Sequence, residues 1–145
     1  MLSCCSHFGF GVELVQSVFK DWKFTLVDTV SAFGLHGQYK ILTELQLPSN
    51  KEIKRGIVDD LKNFTITLKR DEQILEIGKA ENILGVGPLK ALREYVDFCA
   101  KREEWFQLDS IITTGTITDA FDMEEGLSFS IDIDKFGLGP FILNL

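Results

Sequence analysis

The feature that most constrains the fold is strict two-residue alternation, which begins at residue 64. Phe64, Ile66 and Leu68 are separated by Thr65, Thr67 and Lys69, and a second apolar run returns over 74–79 after the polar turn RDEQ. Successive side chains of a β-strand point to opposite faces, so this pattern predicts an antiparallel hairpin with one buried face. The chain must therefore build a sheet and cover one side of it.

Further segments extend the same interpretation. Short alternating or apolar runs predict additional strands at 10–16, 36–48, 127–134 and 139–145. In the first of these, Phe10, Val12 and Leu14 would face one way, and Gly11, Glu13 and Val15 the other. Residues 17–34 mix aromatic and charged side chains, and we predict an irregular, partly buried connection there.

One segment changes to helical spacing. Leu89, Leu92, Val96 and Cys99 recur at intervals of three and four residues, and Pro88 stands where a first helical turn tolerates proline. We therefore predict one main helix at about 88–101, with Lys90 and Glu94 facing solvent. Several strands and one helix predict an α+β fold, mostly of antiparallel sheet.

Length, charge and cysteine content limit the possible functions. The 145 residues, 45% of them hydrophobic, are enough for the core of a single domain at 1–145. A net charge of −7 opposes binding to nucleic acid or to anionic lipid, and no run approaches the roughly 18 apolar residues of a membrane span. The segment MLSCCSHFGFG lacks the pattern of a signal peptide. The three cysteines cannot all pair internally, so we expect a reduced, cytoplasmic setting.

Two features are candidates for binding chemistry. Glu13 interrupts the apolar strand GVELV, where a carboxylate must be paired, exposed or bound to a cation such as Mg²⁺ or Mn²⁺. In IITTGTITDAF, Gly115 would allow a ligand to approach the backbone, and the hydroxyls of its threonine neighbours could bind a small carboxylate. The alternatives are a half-exposed strand edge for Glu13 and an ordinary strand for the threonines, which favour β-structure.

Other polar residues indicate less. Between two glycines, His36 could be an acid–base group, but a structural role is favoured because no partner can be identified. A zinc site would need a fourth ligand beside Cys4, Cys5 and His7. There is no GxSxG motif, and GVGP lacks the full dinucleotide fingerprint. Solvated surface is the favoured interpretation of the remaining acids, Asp119, Asp122, Glu124, Glu125, Asp132 and Asp134.

Three segments, in this order, resemble the 2-keto-4-pentenoate hydratase family of the fumarylacetoacetate hydrolase-like superfamily. The first, at 12–30, has Glu followed by Asp-Trp and Val-Asp-Thr; the second, at 83–102, has Gly-Pro-Leu-x-Ala-Leu; the third, at 111–145, begins near Thr-Gly-Thr. The resemblance extends from about Val12 to Leu145. It implies part of a β-roll or barrel, with the chain as the C-terminal portion of a longer catalytic domain.

The resemblance also implies a function and a set of site residues. The family hydrates 2-hydroxy-dienoate or 2-oxo acid substrates in aromatic compound catabolism, and three acidic side chains hold Mg²⁺ or Mn²⁺. Glu13 matches the last of these, whereas the other two lie in an earlier Glu-x-Glu motif that has no match here. Thr114, Gly115 and Thr116 match the segment at the substrate carboxylate. Asp28 matches an aspartate to which we assign no role, and a homo-oligomer is expected.

Two departures from the family pattern bear on the substrate. Ser31-Ala32-Phe33 replaces a common Ala-Asp-Asn, and Asp119 replaces a glycine beside the proposed carboxylate site. Two alternatives to an active hydratase stay open. One is a decarboxylase of 2-oxo dicarboxylates in the same superfamily, and the other is a non-catalytic binding or structural remnant. With two ligands unmatched, we expect the chain alone to be weakly active or inactive.

Overall fold

The computed structural model describes residues 2 and 5–144. These residues form two compact units, one up to Leu47 and the other from Pro48 onward. The predicted class is confirmed, because the strands of both units pair antiparallel and helices are few. Within the described residues, no helix has the length and apolar character needed to cross a bilayer.

The first unit is built on a two-stranded ribbon. Strand β1 (His7–Val15) pairs antiparallel with β2 (His36–Gln46), and the register shifts after Phe10 and after Leu14. Both strands were predicted, and the exposed Glu13 lies between the half-buried Val12 and Leu14 as the alternation indicates. The ribbon therefore presents Glu13 to solvent.

The connection between β1 and β2 is more regular than predicted. It contains a short helix, α1 (Leu26–Ser31), between two 3-10 turns at Lys20–Trp22 and Phe33–Leu35. The helix begins at a reciprocal capping box between Thr25 and Asp28. The prediction of an irregular segment was wrong at α1, since a cap can define a six-residue helix too short to show apolar periodicity.

The second unit is a four-stranded sheet with two helices. The strands are β3 (Thr65–Arg70), β4 (Gln73–Lys79), β5 (Ser128–Ile133) and β6 (Phe141–Asn144), in the spatial order β4-β3-β5-β6. The predicted hairpin is confirmed as β3–β4, with Asp71 and Glu72 at positive φ in its two-residue turn. Strand β5 buries Phe129, Ile131 and Ile133, as its alternation predicts.

Of the two helices in this unit, the sequence predicted one. Helix α3 (Pro88–Lys101) is confirmed, although its predicted core stripe is buried at Cys99 and half-buried at Leu89, Leu92 and Val96. Helix α2 (Lys51–Asn63) was not predicted. It buries Leu61 alone, because most of its residues are polar, and its local signal is the Asn50 side chain, which accepts hydrogen bonds from the amides of Glu52 and Ile53.

The threonine-rich segment lies in a long stretch without helix or strand, residues 102–127. The strand that its β-branched residues favour is therefore absent there. Gly115 has a φ of 117°, a conformation that other residues rarely adopt. This backbone shape is incompatible with a regular strand at that point.

Candidate functional site

Glu13 and His36 form a pair across the β1–β2 ribbon. His36 Nδ1 lies 2.6 Å from Glu13 Oε1, and roughly half of each side chain is exposed. The sequence suggested each residue separately, as a metal ligand and as an acid–base group, and the structure brings them together. Because both remain open to solvent, the carboxylate can also be reached by a ligand.

A tyrosine completes this side of the ribbon. Tyr39 stands opposite Glu13 in the strand register, and its ring lies where a β-carbon on Gly11 would be. Partial burial, and secondarily the negative charge of Glu13, raise the pKa of the Tyr39 hydroxyl above its ordinary value. The sequence alone did not indicate Tyr39, since the cross-strand register cannot be derived from a long connection.

The described residues do not by themselves form a complete metal site. Across residues 2 and 5–144, no group of three or more His, Cys, Asp or Glu side chains is placed to hold a cation. Glu13 offers one hard oxygen donor set and His36 one imidazole, whereas Mg²⁺ prefers six oxygens in near-ideal octahedral geometry. These residues therefore fit part of a coordination shell.

The proposed carboxylate segment lies in the second unit. Thr114 is half-buried, and Gly115 and Thr116 are exposed. A β-carbon on Gly115 would lie 3.3 Å from Ile83 Cγ2, so the backbone here approaches a buried isoleucine closely. The segment exposes peptide groups and hydroxyls together, which is the chemistry a small carboxylate requires.

Residues 117–119 contact strand β4 and the turn that follows this strand. Asn82 Nδ2 donates to the carbonyl of Ile117 over 2.9 Å, and the Asp119 amide donates to Glu76 Oε2 over 2.8 Å. Ile117 also packs against Gly78, which leaves no room for a side chain. Within the segment, the Thr116 hydroxyl donates to the carbonyl of Thr118. The segment is thus held against β4 without joining the sheet as a strand.

A shallow depression of about 280 Å³ adjoins the same segment. Its walls are Tyr95, Ile111, Ile112 and Thr113. A hydrogen bond with the Cys99 sulfur is the main cause that raises the pKa of the Tyr95 hydroxyl. The depression is therefore open and mainly polar.

Asp28, the aspartate of the family-like Val-Asp-Thr, has a local structural partner. Its Oδ2 accepts hydrogen bonds from the amide and the hydroxyl of Thr25, both over 2.8 Å. Those two hydrogen bonds lower the pKa of the carboxyl below its ordinary value. In this structure Asp28 caps helix α1.

The remaining sequence candidates are placed as follows. Cys4 lies outside the described residues, and the His7 Nδ1 lies 3.0 Å from the Ser6 hydroxyl. Asp134 accepts a hydrogen bond from the Thr65 amide at the end of the sheet. The other acids predicted to be solvated are exposed: Asp119, Asp122, Glu124, Glu125 and Asp132.

The fold is similar to that of a known class of enzyme. No protein-family model matches the chain. Among solved structures, 4-oxalocrotonate decarboxylase from Pseudomonas putida G7, complexed with magnesium and adipate, matches with a TM-score of 0.74 and 21% identity over 92% of this chain. The same enzyme complexed with calcium and acetate matches with a TM-score of 0.70 and 20% identity, also over 92% of this chain.

The match covers 47% and 46% of the two decarboxylase chains, so this chain spans about half their length. At this level of identity the likeness establishes a shared fold, and the fumarylacetoacetate hydrolase-like resemblance is confirmed as a fold resemblance. Both similar structures are of a decarboxylase, so membership of the hydratase family stays a prediction.

Proposed function

We propose that this chain is part of a metal-dependent, fumarylacetoacetate hydrolase-like enzyme that acts on small 2-oxo acids. The observation that carries the proposal is Glu13, a solvent-accessible carboxylate on β1 in a fold shared with a magnesium-complexed decarboxylase. In this proposal Glu13 supplies one ligand to Mg²⁺ or Mn²⁺. A cation bound there would supply Lewis-acid polarisation of the substrate's oxygens.

His36 has a positioning role in the proposal. Its contact with Oε1 restricts the rotation of the Glu13 side chain and leaves Oε2 for a ligand. Because the described residues offer a single carboxylate at this place, the other donors would be water or groups of another polypeptide segment. The chain's own contribution is therefore to orient one ligand.

The segment Thr114–Thr116 is proposed to bind the substrate carboxylate. Gly115 exposes its backbone, and Thr113 and Tyr95 line the adjacent depression. Hydrogen bonds from neutral donors to a carboxylate are charge-assisted and stronger than bonds between neutral groups. Asp119 adds a negative charge four residues after Gly115, which would disfavour a second carboxylate lying close to it.

Two reactions are compatible with a metal ligand and a carboxylate-binding segment of these kinds. The sequence motifs favour the hydration of a 2-hydroxy-dienoate, the reaction of the hydratase family that they resemble. The fold comparison favours the decarboxylation of a 2-oxo dicarboxylate, because both neighbours are a decarboxylase and one was complexed with adipate. The proposal includes both reactions, together with a homo-oligomeric state and a cytoplasmic location.

The metal proposal predicts that Glu13→Gln weakens the binding of Mg²⁺ or Mn²⁺ and leaves the fold intact. The amide keeps the side-chain shape but removes the negative charge that attracts the cation. Calorimetric titration of both forms tests this, with Glu44→Gln on the neighbouring strand as a matched exposed control. Equal metal affinity in the wild type and Glu13→Gln would remove Glu13 from the site.

The same proposal predicts little or no turnover by the isolated chain, even with Mg²⁺ or Mn²⁺ supplied. One carboxylate is present where the family uses three, and the loss of preorganised electrostatics and proton transfer each costs orders of magnitude in rate. Absorbance assays with 2-hydroxypenta-2,4-dienoate and with a 2-oxo dicarboxylate measure this. Robust turnover of either substrate would show that the chain holds a complete site, and Asp119 and Asp122 would be the next ligands to replace.

A further inference from the structure

Tyr39 lies on the same face of the β1–β2 ribbon as Glu13. The two residues are direct partners in the antiparallel register, between the two places where that register shifts. Side chains of directly opposed residues point to the same face, with their β-carbons about 4.5–5.5 Å apart. Tyr39 is therefore a neighbour of the carboxylate that is proposed to bind Mg²⁺ or Mn²⁺.

The side chain of Tyr39 extends across β1 at Gly11. A β-carbon on Gly11 would collide with the hydroxyl end of the tyrosine ring, so the ring needs a glycine at this position. Gly11 comes two residues before Glu13, and residues at this spacing in a strand share a face. The ring therefore covers the surface next to the Glu13 side chain, with its hydroxyl above Gly11.

His36 occupies the other side of Glu13. It pairs with Val15, two residues after Glu13, and its Nδ1 lies 2.6 Å from Glu13 Oε1. Along the strand, the carboxylate thus stands between an imidazole that it contacts and the Tyr39 ring. Because His36 engages Oε1, a ligand would bind at Oε2 and share this face with the Tyr39 hydroxyl.

The Tyr39 hydroxyl has no hydrogen-bond partner among residues 2 and 5–144. The residue is 37% exposed, so much of its ring is covered. A tyrosine with a covered ring usually has a partner for its hydroxyl. After partial burial, the charge of Glu13 is the second cause that raises the pKa of Tyr39, so the two groups are close enough to interact. An unpaired donor therefore stands beside the carboxylate.

We propose that the Tyr39 hydroxyl donates a hydrogen bond to the 2-oxo oxygen of an acid bound at Glu13, and that Gly11 makes room for the ring that places it there. This inference rests on the proposed function, in which Glu13 is a metal ligand, and it adds a substrate-binding residue. In both candidate reactions the substrate passes through an enolate, whose negative charge lies on the 2-oxo oxygen. A donor fixed in advance beside that oxygen stabilises the developing charge.

The test measures binding, so it does not depend on turnover by the isolated chain. Oxalate is the probe, because its shape and charge resemble those of the enolate of a 2-oxo acid. It is titrated calorimetrically into the full chain in the presence of saturating Mg²⁺. Tyr39→Phe keeps the ring and removes only the hydroxyl. It should weaken oxalate binding on the order of tenfold, the effect of one hydrogen bond to a charged group, and leave the affinity for Mg²⁺ alone unchanged.

Two further variants separate the position of the hydroxyl from its presence. Gly11→Ala retains the hydroxyl but displaces the ring, and it should weaken oxalate binding by a similar factor. The obstacle is the far end of a flexible side chain, so the ring can swing aside and the circular dichroism spectrum should not change. The control is Gln38→Ala, which changes an exposed neighbour on β2 whose side chain points to the opposite face and should leave both affinities unchanged.

The outcomes distinguish this inference from the proposed function. No Mg²⁺ binding by the wild type, or equal Mg²⁺ affinity in Glu13→Gln, would overturn the proposed function and this inference with it. Normal Mg²⁺ binding with equal oxalate affinity in the wild type and Tyr39→Phe would overturn the inference alone. So would full oxalate affinity in Gly11→Ala, or a wild type that binds Mg²⁺ but not oxalate.

Discussion

Replacing Gly78 with alanine tests how the proposed carboxylate segment is held. Gly78 is buried on β4, and an added β-carbon would collide with the carbonyl oxygen of Ile117 and lie 2.6 Å from Ile117 Cγ2. The obstacle is backbone, so rotation of a side chain cannot relieve it. The segment around Ile117 must therefore move away from the strand.

The cost can be worked out from the contacts that would be lost. Displacement breaks the hydrogen bond from Asn82 to the Ile117 carbonyl and the one from the Asp119 amide to Glu76. Two such bonds contribute about 1–3 kcal/mol together. Alanine recovers about 0.5–1 kcal/mol because it loses less backbone entropy than glycine on folding. The difference is a net destabilisation of roughly 0–2.5 kcal/mol, with a midpoint of about 1 kcal/mol.

Urea denaturation and adipate titration followed by NMR provide the two measurements. Gly78→Ala should lower the free energy of unfolding by the amount above and weaken carboxylate binding at Thr114–Thr116. The matched control is Gly56→Ala, at an interior position of α2 where an added β-carbon meets nothing within 4 Å. That change should raise the free energy of unfolding by about 0.5–1 kcal/mol without affecting adipate.

The result that would refute this reasoning is an unchanged unfolding midpoint in Gly78→Ala together with unchanged adipate affinity. It would mean that the segment is not seated on β4 in solution. A loss of stability without a loss of adipate affinity would instead mean that the contacts of the segment with β4 are not needed for carboxylate binding.

Two further predictions concern the helices. Leu92→Ala should destabilise the fold by an amount near the lower end of the roughly 2–5 kcal/mol range for core leucines, because Leu92 is half-buried. Lys90→Ala should change the free energy of unfolding by no more than about 0.5 kcal/mol. The denaturation midpoints of the two variants test both expectations. The cap of α1 should be intact above the ordinary Asp28 pKa of 3.8 and lost as pH falls through the lowered pKa of the folded state. The NMR shift of the Thr25 amide reports the loss of the cap. A titration midpoint of that shift at or above pH 3.8 would contradict the cap.

Segments with strong periodicity were predictable from the sequence. The β3–β4 hairpin, β5 and α3 each bury one side, so their apolar residues recur with the period of the element. Helix α2 was not predicted because it buries few residues, and α1 was not predicted because six residues are less than two helical turns. In both helices the capping residue was the local signal.

The candidate site was predictable as residue types and unpredictable as geometry. Glu13 stood out because a charge interrupts an apolar strand, but its contact with His36 depends on a strand register shifted after Leu14. The seat of the threonine segment depends on Glu76 and Asn82, each more than 30 residues away in sequence. No local pattern encodes contacts of that range.

Three features of this chain contradict local rules of folding. A carboxylate interrupts an apolar strand at Glu13, β-branched residues around Gly115 form no strand, and α1 turns its apolar side outward. Natural proteins break such rules mainly at functional sites. The first two contradictions are explained if the residues bind a cation and a carboxylate, as proposed. Metal affinity and carboxylate affinity can each fail alone, so the two explanations are separable by experiment.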